Sequence, residues 1–589
     1  MSVFITTDSR VKQMHNDSSH KLKRERVQSI WLATIVLLLA AIVRIIGLDY
    51  GRPDMQFYPH DRERDFLPLE TPIHPDEYFY VSIPIQMLAQ GRFNPDFYEN
   101  PSFLINLNWL TYLITGSNPH GNEDIRGENQ RQFAPFPFYM VGRVYSMLGG
   151  MLAVTGTFAC VRGIGAQLGL RGRQVRFSAL CAAALVALST PMVQHSHYAT
   201  TSSLASGFAV LAIWLSFAAI SLNAHRNRFH SWHYLAGAAV MAGLSAGCRY
   251  NSAAVWIVVF AAAVLWGRQT RQWVRTLAAL SLAPIAFILS TPGAVFAFDQ
   301  FWQGFSYIFL AFTTGGQVPY GTPIGLWYEY RYLALFGIGL VGLGLAGFGS
   351  IFGVLHSKLR SRTIILAIYI IAYSFVVLRT VRPGHSDQLL VPIIPAFAVL
   401  TGIGVLALMK ATERRYPSVW RSRAIEAIVL VALLAQPLIT TLELLPLFTR
   451  TDTRLVAAAW IHRQLPSGSR IHLIGGYNVP LDTSRYEVTQ TYDNGYTDLQ
   501  ILRDSGIDYV IYSDAIANDQ QRSEAIIPPE YLEQDQAITQ WLSELGLLFS
   551  IERPSLLGTS VMMHTATVWH QPSIRVYCLN ADPCIADGG

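Results

Sequence analysis

Charged residues are scarce in this chain, 14% of 589 positions, against 51% hydrophobic. Soluble domains carry about a quarter charged residues, so this balance excludes an ordinary soluble enzyme. Cysteine is rarer still, five in all, which excludes a scaffold built on disulfides. Cys160, Cys181 and Cys248 fall in or beside apolar runs and read as packing residues. Cys578 and Cys584 stand close together near the C-terminus, in a segment read below as extracytoplasmic, where a disulfide can persist. A small-residue cleavage pattern is also missing after the first apolar run. The basic residues from Lys21 to Arg26 and the run Ile30 to Leu48 therefore read as an uncleaved first helix, not a leader. The formal charge of +5 lies mostly in short breaks between apolar runs, which excludes nucleic acid as a partner. No internal repeat is visible, and this argues against the matched broken halves of a secondary transporter.

What is abundant is long apolar sequence. Eleven stretches are long enough to cross about 30 Å of hydrocarbon, near 27–48, 136–159, 177–192, 203–222, 232–248, 251–267, 274–295, 332–354, 362–380, 387–409 and 423–448. The breaks between them alternate in charge. The N-terminal arm, Arg162 to Arg176, Arg226 to Arg228, Arg268 to Arg275, Lys358 to Arg362 and Lys410 to Arg423 are basic, whereas the breaks near 193–202, 249–251 and 292–331 hold almost no Lys or Arg. One orientation satisfies every break, with the N-terminus cytoplasmic and the C-terminus outside. The expected fold is mainly α and polytopic. A cytoplasmic arm (1–26) precedes a transmembrane domain (27–448) with a large first outer loop (49–135), and a small α/β extracytoplasmic domain follows (449–589). In that last part Arg454 to Leu465, Thr497 to Ser505 and 533–545 have helical spacing, and Arg470 to Ile474 and Ile507 to Ser513 read as strands.

Three large segments thus share the outer face, which favours chemistry at the membrane surface. In the first outer loop, His74-Pro75-Asp76-Glu77 precedes an apolar helical stretch, Tyr78 to Leu88, and a second follows at Phe103 to Ile114. Proline and acids at a helix start are also ordinary helix-start chemistry. If both stretches lie along the membrane surface, the carboxylates meet arriving lipid headgroups. Arg249 and Arg382, the latter in Arg382-Pro383-Gly384-His385, occupy outer breaks where a guanidinium can fork onto phosphate oxygens or anchor to lipid. Arg143 falls inside the second span; a charge there is costly and faces a phosphate or carboxylate partner. Aromatic residues crowd 296–331, among them Phe298, Trp302, Tyr320, Trp327, Tyr328 and Tyr330, a composition that suits an interfacial belt better than stacking on sugar rings or lining a lipid groove. His195 and His197 lack a third ligand at metal-site spacing, so they suit hydrogen bonding or packing better than metal. No cofactor is expected, and a divalent metal is left open.

The order of these motifs resembles the GT-C superfamily of glycosyltransferases, particularly its protein O-mannosyltransferase-like and aminoarabinose-transferase-like branch. The resemblance is carried by the acidic pair Asp76-Glu77, by His195-Ser196-His197-Tyr198-Ala199-Thr200, and by Gly243 to Asn251 ending in Cys248-Arg249-Tyr250-Asn251. It implies a polyprenyl-phosphate sugar as donor, transfer to a lipid, glycan or protein hydroxyl outside the cytoplasm, and inversion at the anomeric carbon. It also implies Asp76 as catalytic base, supported by Glu77. His74, His195, His197, Tyr198, Arg249, Tyr250, Asn251, Arg382 and His385 are then the expected substrate-binding residues. The chain departs from relatives that carry an acid after the histidine-tyrosine segment, for it has Thr200, Thr201, Ser202 and Ser203 there. Residues 292–331 also leave no room for the inserted domain of eukaryotic protein O-mannosyltransferases. A multi-pass protein of a prokaryotic plasma membrane is the expected setting. Two rival readings are a transporter or flippase of lipid-linked saccharides and a non-catalytic scaffold of the same fold.

Overall fold

The computed structural model of the protein describes residues 31–50, 76–116, 136–168, 170, 172–221, 228–313, 330–378, 386–415, 419–475, 478–491, 499–514, 537–556 and 571–579. Within them, helices α1 (Trp31–Ile45), α2 (Glu77–Ala89), α3 (Phe103–Thr115), α4 (Phe136–Ala166), α5 (Gly172–Ala187), α6 (Thr190–Gln194), α7 (Ser202–Ser221) and α8 (Arg228–Cys248) come first. A 3-10 turn (Tyr250–Val255) leads into α9 (Trp256–Thr270), followed by α10 (Trp273–Ser290), α11 (Gly293–Phe296) and α12 (Phe298–Thr313). After a π-helical turn (Leu333–Gly337) come α13 (Gly339–Leu355), α14 (Arg360–Leu378), α15 (Ser386–Leu390), α16 (Ile394–Arg415) and α17 (Val419–Thr449).

Every apolar stretch expected from the sequence contains helix. Six helices among the described residues are long and apolar enough to span a membrane, or seven if one bent pair counts as a span. Helices α8 and α14 fall short of that standard, with His230 and His233 or Arg360 and Arg362 in their opening turns, and α5 and the described part of α1 are shorter. The bent pair is the stretch read as one span over 332–354, broken by 116°. Gly339 turns the chain there at φ +75°, and Gln436 of α17 satisfies the broken ladder. Its Nε2 donates to the carbonyls of Ala334 (2.9 Å) and Leu335 (3.0 Å), and its Oε1 accepts from the Leu340 amide (3.0 Å). A break without such a partner would leave backbone groups bare in hydrocarbon.

Many inner positions of the bundle are alanine or glycine, and large apolar side chains face outward as well as inward, the pattern of a protein whose solvent is lipid. Core positions include Ala182, Ala205, Ala209, Ala239 and Ala262, while Val274, Leu289, Ile371, Ile428 and Val431 are exposed. Helices α4 and α7 touch backbone to backbone. A Cβ on Gly149 would stand 2.5 Å from the Leu204 nitrogen, and one on Gly207 2.5 Å from the Gly149 oxygen.

Described residues of the basic breaks near 162–176 and 358–362 meet at one end of the bundle. There Arg173 pairs with Glu426, Lys358 reaches the Gln167 carbonyl, and Arg362 donates to Ser221 (2.8 Å). The other end gathers 46–50, 76–77, 195–203, Arg249, Gln388 and the start of the C-terminal part.

That part opens with α18 (Thr453–Gln464), capped by Asp452, which accepts from the Arg454 amide. Five strands follow in the order β2-β1-β3-β5-β4, with α19 (Leu499–Asp504) between β2 and β3. Strand β1 (Arg470–Ile474) runs parallel to β2 (Glu487–Thr491) and β3 (Tyr509–Ser513). Strand β5 (Ile574–Cys578) is antiparallel to β3 and to β4 (Gly546–Ile551). Helix α18 covers one face over Ile471, Leu473, Ile511 and Val576. Leu502, Ile538 and Leu542 cover the other over Ile474, Val510 and Tyr577. The expected helices and both expected strands of this region are present; β2, β4 and β5 were not anticipated. Cys578 is disulfide-bonded, Cys160, Cys181 and Cys248 are free and buried, and Cys584 lies outside the described residues.

Candidate functional site

The acidic pair at the start of α2 splits into two environments. Glu77 is fully buried and forms a forked ion pair with Arg143, which is also buried: Nε to Oε1 at 2.9 Å and Nη2 to Oε2 at 3.1 Å. The Ala199 amide donates to the same Oε1 at 2.7 Å. Arg143 Nη1 donates to the carbonyls of Leu48 (2.8 Å) and Tyr50 (2.6 Å). The buried arginine that the sequence exposed therefore has a carboxylate partner. Together they tie the end of α1, the start of α2, α4 and the 195–201 turn into one knot. Forked pairing of this kind fixes orientation as well as charge.

Asp76, one residue earlier, sits at the end of the helix and is partly exposed. One turn along α2, on the same face, stands the buried phenol of Tyr80. Burial, and then the negative charge of Asp76, push that phenol up, while Arg249 pulls it the other way. Tyr80 thus lies within electrostatic reach of both the acid and the guanidinium. Its hydroxyl faces Thr201 Oγ1 at 3.5 Å, and Arg249 Nη1 donates to Ser202 Oγ at 2.5 Å and to Gln388 Oε1 at 3.5 Å. Adjacent hydroxyls of the Thr200–Ser203 run therefore connect the acid's side of the site to the arginine's side. Arg249 holds this place because it is extended (φ −148°, ψ 131°) between α8 and the 3-10 turn, which aims it out of the helix line.

The other expected residues divide. Tyr250 donates to the Tyr98 carbonyl (2.9 Å) and packs edge-on against Phe301 and Phe305 of α12. Asn251 donates to Tyr373 (3.1 Å) and so fastens the 3-10 turn to α14, and Tyr373 in turn donates to the Leu389 carbonyl in the chain entering α16. His195, His197 and Tyr198 are buried. The His197 ring stacks on Phe448 at 4.2 Å, and its Nδ1 and Nε2 face the carbonyls of Val193 (2.8 Å) and Ile46 (2.9 Å). His195 lies edge-on to Tyr198, 5.5 Å between ring centres. These three side chains pack the turn beneath the last helix and have little surface to offer a substrate. His74, Arg382 and His385 lie outside the described residues. No group of three metal-ligating side chains occurs among the described residues.

Sequence reasoning missed Tyr80, Thr201, Ser202 and Gln388 as parts of this site. Tyr80 was findable, since it is four residues from Asp76 on a helix. Gln388 carries no local signal; only the fold brings it to Arg249. Glu99 is a further half-buried carboxyl on this side, beside Tyr98, and burial raises its pKa.

No protein-family model and no curated protein matches the chain. Solved structures similar to it include ArnT from Cupriavidus metallidurans in the apo state, at TM-score 0.45 and 14% identity over 94% of this chain and 99% of that one. The same protein bound to undecaprenyl phosphate gives 0.44 and 13%, over 94% and 98%. The Archaeoglobus fulgidus oligosaccharyltransferase AglB, in complex with an inhibitory peptide and a dolichol-phosphate, gives 0.43 and 12%, over 89% and 73%.

Proposed function

We propose that this chain is a membrane glycosyltransferase that moves one sugar from a polyprenyl-phosphate donor to a hydroxyl acceptor at the outer end of its bundle. The observation that carries the reading is that Tyr80, within electrostatic reach of both Asp76 and Arg249, faces the Thr201 hydroxyl while Arg249 holds the neighbouring Ser202 hydroxyl. The acceptor oxygen attacks the anomeric carbon as the bond from that carbon to the phosphate oxygen breaks, and the phosphate leaves with the electron pair. Asp76 takes the acceptor proton, a role that needs a carboxylate with an open face, and Asp76 is partly exposed. Arg249 stabilises the charge growing on the leaving phosphate. Glu77 supports by position, since its oxygens are engaged by Arg143 and Ala199. Attack opposite the leaving phosphate inverts the anomeric carbon.

In this reading the hydrophobic surface faces lipid and the end bearing Asp76 faces away from the cytoplasm. The test is transfer from labelled polyprenyl-phosphate sugars by the purified protein. The parent transfers or hydrolyses the sugar, and Asp76→Asn does so at least about a hundredfold more slowly. Equal rates exclude Asp76 as the base. Movement of intact donor across proteoliposomes without bond cleavage would instead make the chain a flippase.

A further inference from the structure

The knot around Glu77 does not end at Arg143. Its guanidinium donates to the Tyr50 carbonyl, and the Tyr50 hydroxyl hydrogen-bonds Asp452, the residue that caps α18 and opens the C-terminal part. Asp452 is gripped from its own side by Arg454, through Nε to Oδ1 at 2.8 Å and Nη2 to Oδ2 at 2.7 Å. All three side chains are buried. The same junction is pinned from the sheet. Gln571, just before β5, donates to the Leu447 and Arg450 carbonyls (2.9 and 3.1 Å), and Thr453 donates to the Pro572 carbonyl (2.7 Å). Phe448 fills the space between, against Tyr50, His197 and Tyr198. It can lie there because residue 47 is glycine: a Cβ on Gly47 would meet Phe448 at 2.6 Å.

We propose that Tyr50, Asp452 and Arg454 are positioning residues for the outer site, holding Arg143, and through it Glu77 and the first turn of α2, where Asp76 must stand. The docking of the C-terminal part onto the bundle then sets the acid's position. The physical case is that a buried ion pair demands full satisfaction of every donor and acceptor, so each link has little freedom while the next stays in place. The kinetic side of this proposal rests on the transferase reading; the structural side does not.

The test compares amide hydrogen exchange and transfer kinetics in the full-length protein for the parent, Tyr50→Phe, Asp452→Asn and Asp452→Glu. Tyr50→Phe keeps the ring that packs on Phe448 and removes only the hydroxyl. Expected for Tyr50→Phe and Asp452→Asn is exchange roughly tenfold faster or more at 76–80 and at the Ala199 amide, with β1 and β3 as protected as in the parent. In those two variants kcat falls about 10- to 100-fold with KM little changed, and Asp452→Glu recovers most of both signals. Parent-like exchange at 76–80 and Ala199 in Tyr50→Phe overturns the proposal. So does a rise in that variant that is equally large in β1 and β3, which is loss of stability alone. If the parent transfers no sugar, the transferase reading fails and the exchange comparison still decides this one.

Discussion

Asp76 and Glu77 are neighbours with opposite fates, and burial decides which is which. Glu77→Gln keeps the shape of the side chain but leaves Arg143 as a buried cation without a counter-charge, which costs about 3–5 kcal/mol. We expect that variant to lose thermal stability clearly, while Asp76→Asn melts close to the parent. Arg249 tests the same division on the cation. Arg249→Gln should lower transfer on the order of a hundredfold, and Arg249→Lys should rescue only part of it, because Nη1 meets Ser202 and Gln388 and an ammonium lacks the planar fork that matches phosphate oxygens. Thermal melts alongside initial rates check both. The acidic pair and both visible arginines could be read from the chain, because a charge in or beside an apolar run is conspicuous. Which acid is partly exposed and which is buried and locked could not, since the lock is made by Arg143 and the Ala199 amide, 66 and 122 residues away.

Among the elements, apolar length and the charge of the breaks made the helices legible, and strands β1 and β3 were legible as buried runs. Strands β2 and β4 were not. Neither is a buried apolar run: β2 reads Glu-Val-Thr-Gln-Thr, and β4 has no alternation, so pairing in the sheet places them rather than their own pattern. The break between the π-helical turn and α13 was invisible because Gln436, which makes it tolerable, lies about a hundred residues further on. Glycine at helix crossings is a second such feature. Gly207→Leu would drive a side chain into the Gly149 carbonyl and separate α4 from α7, at a cost of at least about 1–3 kcal/mol. Gly163, whose Cβ direction is open, is the control, and Gly163→Leu should leave the melting temperature nearly unchanged.

At the scale of the whole molecule, two buried groups make the junction between bundle and sheet sensitive to acid. Burial holds His197 down at about 4, against the pull of the two carbonyls it faces. A histidine whose folded pKa lies below its unfolded value near 6.5 resists protonation, so its share of stability is intact above that value and falls between about pH 6.5 and 4. Burial pushes Asp452 up, but Arg454 and the Tyr50 hydroxyl outweigh it and leave its pKa below the usual value. Its contribution is complete above about pH 4 and is lost as the pH drops through the lowered value. Unfolding monitored across pH should therefore weaken in two stages. In His197→Phe the first stage shrinks to what the other lowered histidines, His472 in β1 among them, contribute, and in Asp452→Asn the second shrinks.

The central claim is that the acid at 76 and the guanidinium at 249 face one ligand at the outer end of the bundle. The most direct measurement is a structure of the protein in a lipid nanodisc with a polyprenyl-phosphate sugar bound. The claim predicts phosphate density against Arg249 with the anomeric carbon turned toward Asp76. Phosphate bound at the opposite end, among Arg173, Lys358 and Arg362, would contradict it.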